Sequence, residues 1–168
     1  EKADTGRPCA GGGEGNCAGP VWRAFLDKVD TDAISEQLTK VNRYVNKTPY
    51  MLDAVNWGES DHWAAPGDFF AKGGDCEDYA IAKYFLLREL GVQPERLRIV
   101  VLQDRRHRRA HAVLAVTWED RTLVLDNLHN RIVPWRDLRH YLAIYSINER
   151  SAWLHARAES PFKQQPGG

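Results

Sequence analysis

The sequence has few of the features that mark membrane-spanning, zinc-binding or nucleic-acid-binding proteins. Its 168 residues include only three cysteines, and no run approaches the roughly 18 to 20 apolar residues that a membrane-spanning helix requires. No set of Cys and His residues has the spacing of a zinc site. The 23 basic side chains are balanced by 23 acidic ones, whereas binding to nucleic acid or an anionic membrane needs an excess of Lys and Arg. The sequence therefore predicts no nucleic-acid partner and no direct membrane insertion.

Large apolar side chains are plentiful instead. Six Trp, six Tyr and five Phe contribute to a hydrophobic fraction of 43%, which is enough for one core in a chain of this length. The charged fraction of 27% is typical of an ordinary protein surface rather than of a disordered chain. We therefore expect one folded domain, over residues 20–157.

The two ends of the chain have a different composition. Residues 1–19 contain six glycines together with Cys9 and Cys17, and a segment with so few large side chains is predicted to be a flexible leader. The cysteine spacing permits a disulfide that closes a small loop, which would imply an oxidising compartment, and equally permits two free thiols. Residues 158–168 are predicted to form a flexible tail.

Helical patterns occupy the first half of the chain. Apolar residues at helical spacing predict helices within residues 21–29 and 34–45, and residues 53–68 are predicted as a loop region. The strongest helix covers residues 76–90 and ends at Gly91. It has little polar face, so we expect it to be buried nearly all round.

Strand patterns follow the helices. Residues 97–103, 111–118, 122–126 and 141–147 are predicted as strands, with a short helical piece near residues 134–138. Helices first and an antiparallel meander afterwards indicate an α+β domain.

Cys76 follows Gly73-Gly74-Asp75 and opens the buried helix. Unpaired backbone N–H groups and the positive end of the helix dipole favour a thiolate at such a position. This is where a nucleophile would lie, although a small buried structural cysteine is the alternative interpretation.

His111 opens the second predicted strand and Asp126 closes the third. If Thr117 pairs with Thr122 across the intervening turn, His111 lies opposite Leu128 and Asp126 is its diagonal neighbour on the same face. A turn shorter by one residue would move Asp126 to the other face. Separately, the two residues could be a strand-edge histidine and a turn former. Together with a thiol at a helix start, they form the set that nucleophilic acyl transfer uses.

Three carboxylates surround the thiol in sequence: Asp75, Glu77 and Asp78. One such charge at about 8 Å, with an effective dielectric near 20, opposes the thiolate by roughly 2 kcal/mol, or about 1.5 pKa units. The structural interpretation is helix capping, in which Asp75 and Asp78 resemble a capping box. The functional interpretation is a hard cation such as Ca²⁺, whose charge would cancel the unfavourable field. The same carboxylates can cap the helix and also bind a cation.

Two further features lie near these residues. The basic run Arg105-Arg106-His107-Arg108-Arg109 is interpreted as a solvated turn, with an acidic partner protein as the alternative. Asp61 and the tryptophans Trp57 and Trp63 precede the nucleophile and could line a substrate cleft, although packing is the ordinary role of such tryptophans.

The run from Trp63 to Val92, with Gly-Gly-Asp-Cys-Glu-Asp-Tyr-Ala at its centre, closely resembles the bacterial transglutaminase-like cysteine proteases. Ala110-His111-Ala-Val-Leu-Ala and Leu123-Val-Leu-Asp126-Asn-Leu128 are similar to the histidine and aspartate motifs of that family, in the same order. The resemblance covers about residues 20–150. It implies a transglutaminase-like, papain-like fold in which the nucleophile-bearing helix packs on an antiparallel sheet.

The resemblance also implies a function. By motif position, Cys76 would be the nucleophile, His111 the base and Asp126 the orienting acid, with calcium held by Asp75, Glu77 and Asp78. The implied enzyme is a calcium-dependent periplasmic endopeptidase that cuts a large biofilm adhesin near its N-terminus, at a paired-alanine site. The family further implies control by an inner-membrane receptor whose periplasmic domain sequesters the protease in response to cytoplasmic cyclic di-GMP.

Other activities use the same residues. A Cys-His-Asp triad also serves transglutaminase-like acyl transfer to an amine and the cleavage of a cell-wall peptide amide. A domain with an inactive triad would be a calcium-dependent binding module instead.

Overall fold

The computed structural model describes residues 21–155. The predicted leader, the Cys9 and Cys17 thiols and the predicted tail lie outside the described residues. Helices come first and strands follow, as the sequence pattern predicts. The elements are α1 (Arg23–Val29), α2 (Ile34–Val45), α3 (Asp53–Asn56), α4 (Pro66–Lys72), α5 (Cys76–Glu89), β1 (Leu97–Asp104), β2 (Arg109–Trp118), β3 (Arg121–Leu125), β4 (Val133–Pro134), β5 (Tyr141–Ile147) and β6 (Ala152–Leu154), with short 3-10 turns at Pro94–Arg96 and Trp135–Asp137.

The central helix α5 is the main packing element. Nine of its residues are buried, and Phe85 is 48% exposed, so the prediction of burial nearly all round is confirmed except along one narrow stripe. The helix ends where predicted, because Gly91 has a positive φ of 86° that a residue with a side chain rarely adopts. It packs against β2 on one side and α2 on the other. This places the first turn of α5 over one end of β2.

The six described strands form one antiparallel sheet in the order β4-β3-β2-β1-β5-β6. The predicted meander holds from β1 to β4. It fails at β5, which returns to the free edge of β1 instead of continuing beyond β4, because the segment before it crosses to that side and Asp104 pairs with Tyr141. Thr117 pairs with Thr122, which is the register expected to bring His111 and Asp126 onto the same face of the sheet.

The predicted loop region contains two short helices. α3 lies within it, and α4 begins at Pro66, a residue whose fixed φ suits the first helical position. The prediction was wrong here because both helices are too short to show a periodic apolar pattern. An isolated parallel bridge between Tyr50 and Gly74 then holds the preceding loop beside the start of α5.

Hydrophobic residues cover both faces of the sheet. The larger core joins α2, α4 and α5 to Leu97, Ile99 and Leu114, and a smaller cluster on the other face contains Val100, Val113 and further residues up to Ala143. Within the described part of the chain, no helix is both long enough and apolar enough to cross a membrane.

Candidate active site

Cys76 is the first residue of α5, as predicted, and its side chain is largely enclosed. The thiol donates a hydrogen bond to Glu77 Oε2, with 3.2 Å between Sγ and the oxygen. Burial raises the pKa of Cys76 well above its usual range, and the negative charges of Glu77 and Asp75 raise it further. In the protein alone, burial and the neighbouring carboxylates therefore favour the protonated thiol.

His111 and Asp126 form a buried pair, and His111 lines two cavities together with Cys76. His111 Nε2 lies 2.9 Å from Asp126 Oδ1, and both side chains are buried. The register of β2 and β3 pairs Leu114 with Leu125, so that Asp126 follows the last paired residue and reaches diagonally back to His111. The predicted convergence of this pair is confirmed. Since Nε2 is engaged with Asp126, Nδ1 is the ring nitrogen left for the thiol.

Three further groups hold Asp126. The Leu128 contact fits the turn-former interpretation, whereas the side-chain contacts of Tyr141 and Asn46 were not predicted. Tyr141 donates from its hydroxyl to Asp126 Oδ2 at 2.6 Å, and the backbone N–H of Leu128 donates to Oδ1 at 3.0 Å. The Asn46 side-chain amide donates to the Asp126 carbonyl at 2.9 Å. Burial opposes ionisation, but the His111 contact and the other two carboxylate donors outweigh it and lower the pKa of Asp126 to about 2. No local sequence signal marks the contacts of Asn46 and Tyr141, because Asn46 directly follows α2 and Tyr141 begins β5.

Two cavities flank Cys76 and His111, which line both of them. The larger, of about 440 Å³, is also bordered by Asp61, Trp63 and Tyr145, among others. The smaller, of about 240 Å³, is bordered by Arg109 and Leu128, among others. Because the two cavities share Cys76 and His111, we refer to them together as the cleft. The thiol lies where the two cavities meet, so an extended peptide in the cleft would pass beside it.

The two tryptophans have different roles. Trp63 lines the cleft and is 37% exposed, as the substrate-cleft interpretation expects. Trp57 instead stacks on His62, with ring centroids 4.2 Å apart, and lies under the Lys72 ammonium. Packing is therefore the role of Trp57.

The other five histidines have local partners, and none of them lines either of these two cavities. These partners are the Trp57 ring for His62, Asp104 for His107, the Arg131 carbonyl for His129, the Tyr141 ring for His140 and Ser146 for His155.

A cluster of five carboxylates lies beside the thiol. It comprises the three predicted metal ligands and two residues that the sequence did not mark as ligands: Asp53, Asp61, Asp75, Glu77 and Asp78. Ligand atoms of Asp53, Asp75 and Asp78 lie within 4.8 Å of one another, as do those of Asp53, Asp61 and Glu77. We refer to these five residues as the acidic cluster.

The acidic cluster fits a hard cation. Asp53 Oδ1 and Asp75 Oδ1 are buried and accept no hydrogen bond from any described residue, which is costly for a carboxylate unless another ligand is bound. Burial and the neighbouring carboxylates raise the pKa of Asp75 to about 9, and the same causes raise the pKa of Asp78 to about 6. Oxygen-only donors at this density are what Ca²⁺ prefers.

Asp78 also has the predicted capping role. Its carboxylate accepts hydrogen bonds from the backbone N–H groups of Ala64 at 2.7 Å and Asp75 at 3.1 Å, and Asp75 and Asp78 form the capping box. The side chain thus joins the loop before α4 to the start of α5. Capping and metal binding are compatible, because each carboxylate oxygen has two lone pairs.

Comparisons with known proteins agree with this arrangement. Residues 15–160 match the family described as bacterial transglutaminase-like cysteine proteinase (BTLCP). The structure of Legionella pneumophila LapG superposes with a TM-score of 0.73 at 34% sequence identity, covering 82% of this chain and 77% of that chain. No curated protein matches the chain.

LapG has been solved in calcium-bound and EGTA-treated forms, and both are similar to this chain. The calcium-bound form superposes with a TM-score of 0.73 at 34% identity, covering 85% of this chain and 81% of that chain. The EGTA-treated form superposes with the same TM-score at 33% identity, covering 83% and 76%. These matches confirm the predicted transglutaminase-like α+β fold. The chain belongs to the bacterial transglutaminase-like cysteine proteinases, and it is a cysteine protease of the LapG type.

Proposed function

We propose that the protein is a calcium-dependent cysteine endopeptidase in which Cys76 is the nucleophile, His111 the general base and acid, and Asp126 the orienting acid. The observation that carries the proposal is the buried His111–Asp126 hydrogen bond, at 2.9 Å, beside a cleft that Cys76 and His111 line together. A histidine held in this way has one nitrogen fixed by a carboxylate and the other free to exchange a proton.

In the proposed reaction, His111 Nδ1 takes the proton from Cys76 Sγ, and the thiolate attacks the carbonyl carbon of the scissile peptide bond. The carbon–nitrogen bond breaks, and the amine leaves with the proton returned by Nδ1. Water, deprotonated by the same nitrogen, then hydrolyses the thioester. Asp126 keeps its negative charge throughout and stabilises the imidazolium.

The acidic cluster would hold the calcium ion, with Asp75, Glu77 and Asp78 as proposed ligands and Asp53 and Asp61 completing the set. Bound calcium supplies positive charge next to the nucleophile. The Glu77 carboxylate that receives the thiol hydrogen bond belongs to this cluster. A cation held there would offset the Glu77 charge that opposes ionisation of Cys76.

The proposal extends to the biological setting that the family resemblance implies. The substrate is a large cell-surface biofilm adhesin, cut near its N-terminus in the periplasm, and the regulator is the periplasmic domain of a cyclic di-GMP-responsive inner-membrane receptor. The existence of calcium-bound LapG supports the calcium dependence.

The test is cleavage of an adhesin N-terminal fragment by the wild type and by Cys76→Ala, each with calcium and with EGTA. We expect cleavage only by the wild type with calcium. A labelled amine in the same reaction distinguishes hydrolysis from acyl transfer, because amine incorporation without cleavage would identify a transferase. Activity of a folded Cys76→Ala variant, or equal activity in EGTA, would contradict the proposal.

A further inference from the structure

A strongly basic surface adjoins the cleft on the side away from the acidic cluster. It is built from the turn between β1 and β2 and from the segment before β5, which the Arg105 N–H joins to the His140 carbonyl at 2.9 Å. We refer to its residues as the basic patch. They are Arg105, Arg106, His107, Arg108, Arg109, Arg139 and His140.

The arginines of the basic patch are exposed and outnumber the carboxylates beside them. Within residues 21–155, none of these five arginines forms an ion pair. The two local carboxylates are already engaged: buried Asp104 pairs with the His107 ring at 2.5 Å, and Asp137 lies 3.8 Å from Arg136. Five arginines against these two carboxylates leave a local excess of positive charge on a chain that has no net charge.

The basic patch is continuous with the cleft. Arg109 lines the smaller cavity together with Cys76 and His111. A further surface depression is bordered by Arg105, Arg106, Arg139 and His140, together with Asp137. Arg109 precedes His111 by two residues on the same strand, so their Cα atoms are about 7 Å apart. An extended peptide advances about 3.3 Å per residue, and it would therefore pass the patch about two to five residues from the bond that lies over Cys76.

We propose that the basic patch is a substrate-docking site that recruits an acidic stretch of the polypeptide, about two to five residues from the scissile bond and on one side of it. The inference rests on the proposed protease function. A polypeptide is favoured over nucleic acid because the patch leads directly into the peptide cleft. Attraction between opposite charges across such a surface increases the association rate and weakens in salt.

The test compares peptides that share one neutral cleavage site. One has neutral flanks, the second has two glutamates within residues two to five before the scissile bond, and the third has them after it. We expect one of the acidic peptides to be cleaved with kcat/KM about tenfold higher than the neutral peptide, mainly through KM. The advantage should disappear at about 0.5 M salt.

Charge-reversal variants assign the effect to the patch. Arg105→Glu with Arg106→Glu should abolish the advantage of the acidic peptide. The matched control, Lys28→Glu with Arg121→Glu, changes the net charge equally at exposed positions away from the patch and should retain the advantage. Anisotropy of the labelled peptides on Cys76→Ala protein measures the same preference without catalysis.

The outcomes separate the two proposals. If the wild type cleaves no peptide but the Cys76→Ala protein still binds one acidic peptide more tightly, the docking site stands and the protease assignment fails. If the neutral peptide is cleaved and neither acidic peptide gains in cleavage or binding, the docking site is wrong. Equal losses in the patch variant and the control would also overturn it, because the effect would then be one of net charge. Binding of nucleic acid, rather than of either acidic peptide, would reassign the surface.

Discussion

Asp126 keeps its charge in a buried position because donors from three different elements of the fold converge on it. His111 and the Leu128 N–H bond one carboxylate oxygen, and Tyr141 bonds the other. Tyr141 also packs against the His111 ring, with centroids 5.7 Å apart. Tyr141 therefore positions both the carboxylate and the imidazole, although it touches no reacting atom.

Replacing Tyr141 by phenylalanine tests this role. The Tyr141→Phe variant leaves one buried carboxylate oxygen unpaired, which should lower the free energy of unfolding by about 1–3 kcal/mol at neutral pH. The folded-state pKa of Asp126 is about 2, below the ordinary value of 3.8, so its hydrogen bonds stabilise the fold fully above about pH 4. That stability is lost as the pH falls towards 2.

The stability difference between wild type and Tyr141→Phe should therefore shrink below about pH 4. Urea unfolding at several pH values measures it. Tyr44→Phe is the control, because the Tyr44 hydroxyl forms no hydrogen bond with a described residue while its ring stacks on Phe25. A difference that does not change with pH would contradict the role assigned to Tyr141.

At the scale of elements, the start of α5 depends on close contact between Gly74 and the Asp78 carboxylate. A β-carbon at residue 74 would lie 2.8 Å from the Asp78 Cβ and would collide with its carboxylate. Asp78 cannot withdraw freely, because it accepts hydrogen bonds from Ala64 and Asp75. Gly74 thus leaves room for a capping residue that is also a proposed ligand.

The Gly74→Ala substitution should displace Asp78 and destabilise the fold by about 1–3 kcal/mol. It should also weaken calcium binding about tenfold or more, since the acidic cluster loses its geometry. Calorimetric titration with calcium measures the affinity. Gly67→Ala is the matched control, because nothing lies within 4 Å of a β-carbon there. Equal calcium affinity in the two variants would contradict the role of Gly74.

Lys83 is a second unusual residue of α5. Its ammonium nitrogen is buried and has no hydrogen-bond acceptor among the described residues, and it lies 5.9 Å from the centroid of the Tyr79 ring. Burial lowers the pKa of Lys83 to about 7, although the negative charge of Asp126 opposes the shift. The core of the helix thus contains a lysine that loses its proton far more readily than an exposed one.

Lys83→Met should therefore change how stability depends on pH. Between about pH 7 and 10.5, Lys83 binds more protons in the unfolded chain than in the folded one. The amount by which Lys83 lowers the free energy of unfolding therefore decreases as the pH rises. We expect Lys83→Met to be more stable than wild type by about 2–4 kcal/mol near pH 7. The gain should diminish towards pH 10. Lys28→Met, at an exposed position, should show no such trend, and a pH-independent gain would refute the expectation.

Local patterns explain how much of the fold could be predicted. The burial of α5 was predictable because few of its residues are polar. Two registers of β2 with β3 were compatible with the sequence, and the length of the turn decides between them. The position of β5 and the short helices α3 and α4 were not predictable, because long-range packing selects them. The same limit applies to the site. The motif residues Cys76, His111 and Asp126 could be identified from the sequence. Asn46 and Tyr141 are identified only by their contacts with Asp126, which is 80 and 15 residues away from them in the chain.

At the scale of the whole molecule, charge is distributed unevenly along the cleft. The acidic cluster lies at one side of Cys76 and the basic patch at the other, although the chain is neutral overall. The acidic side raises the pKa of the thiol, so the protein without a cation should hold its nucleophile protonated. Calcium would then act as an electrostatic activator of Cys76.

The most direct test of that activation is the alkylation rate of Cys76 by iodoacetamide near pH 7.5, with calcium and with EGTA, followed by mass spectrometry of the peptide that contains Cys76. Since only the thiolate reacts, calcium should accelerate alkylation about tenfold or more, and Glu77→Gln should react faster than wild type in EGTA. An equal rate with and without calcium, in protein shown to bind the ion, would contradict the activation.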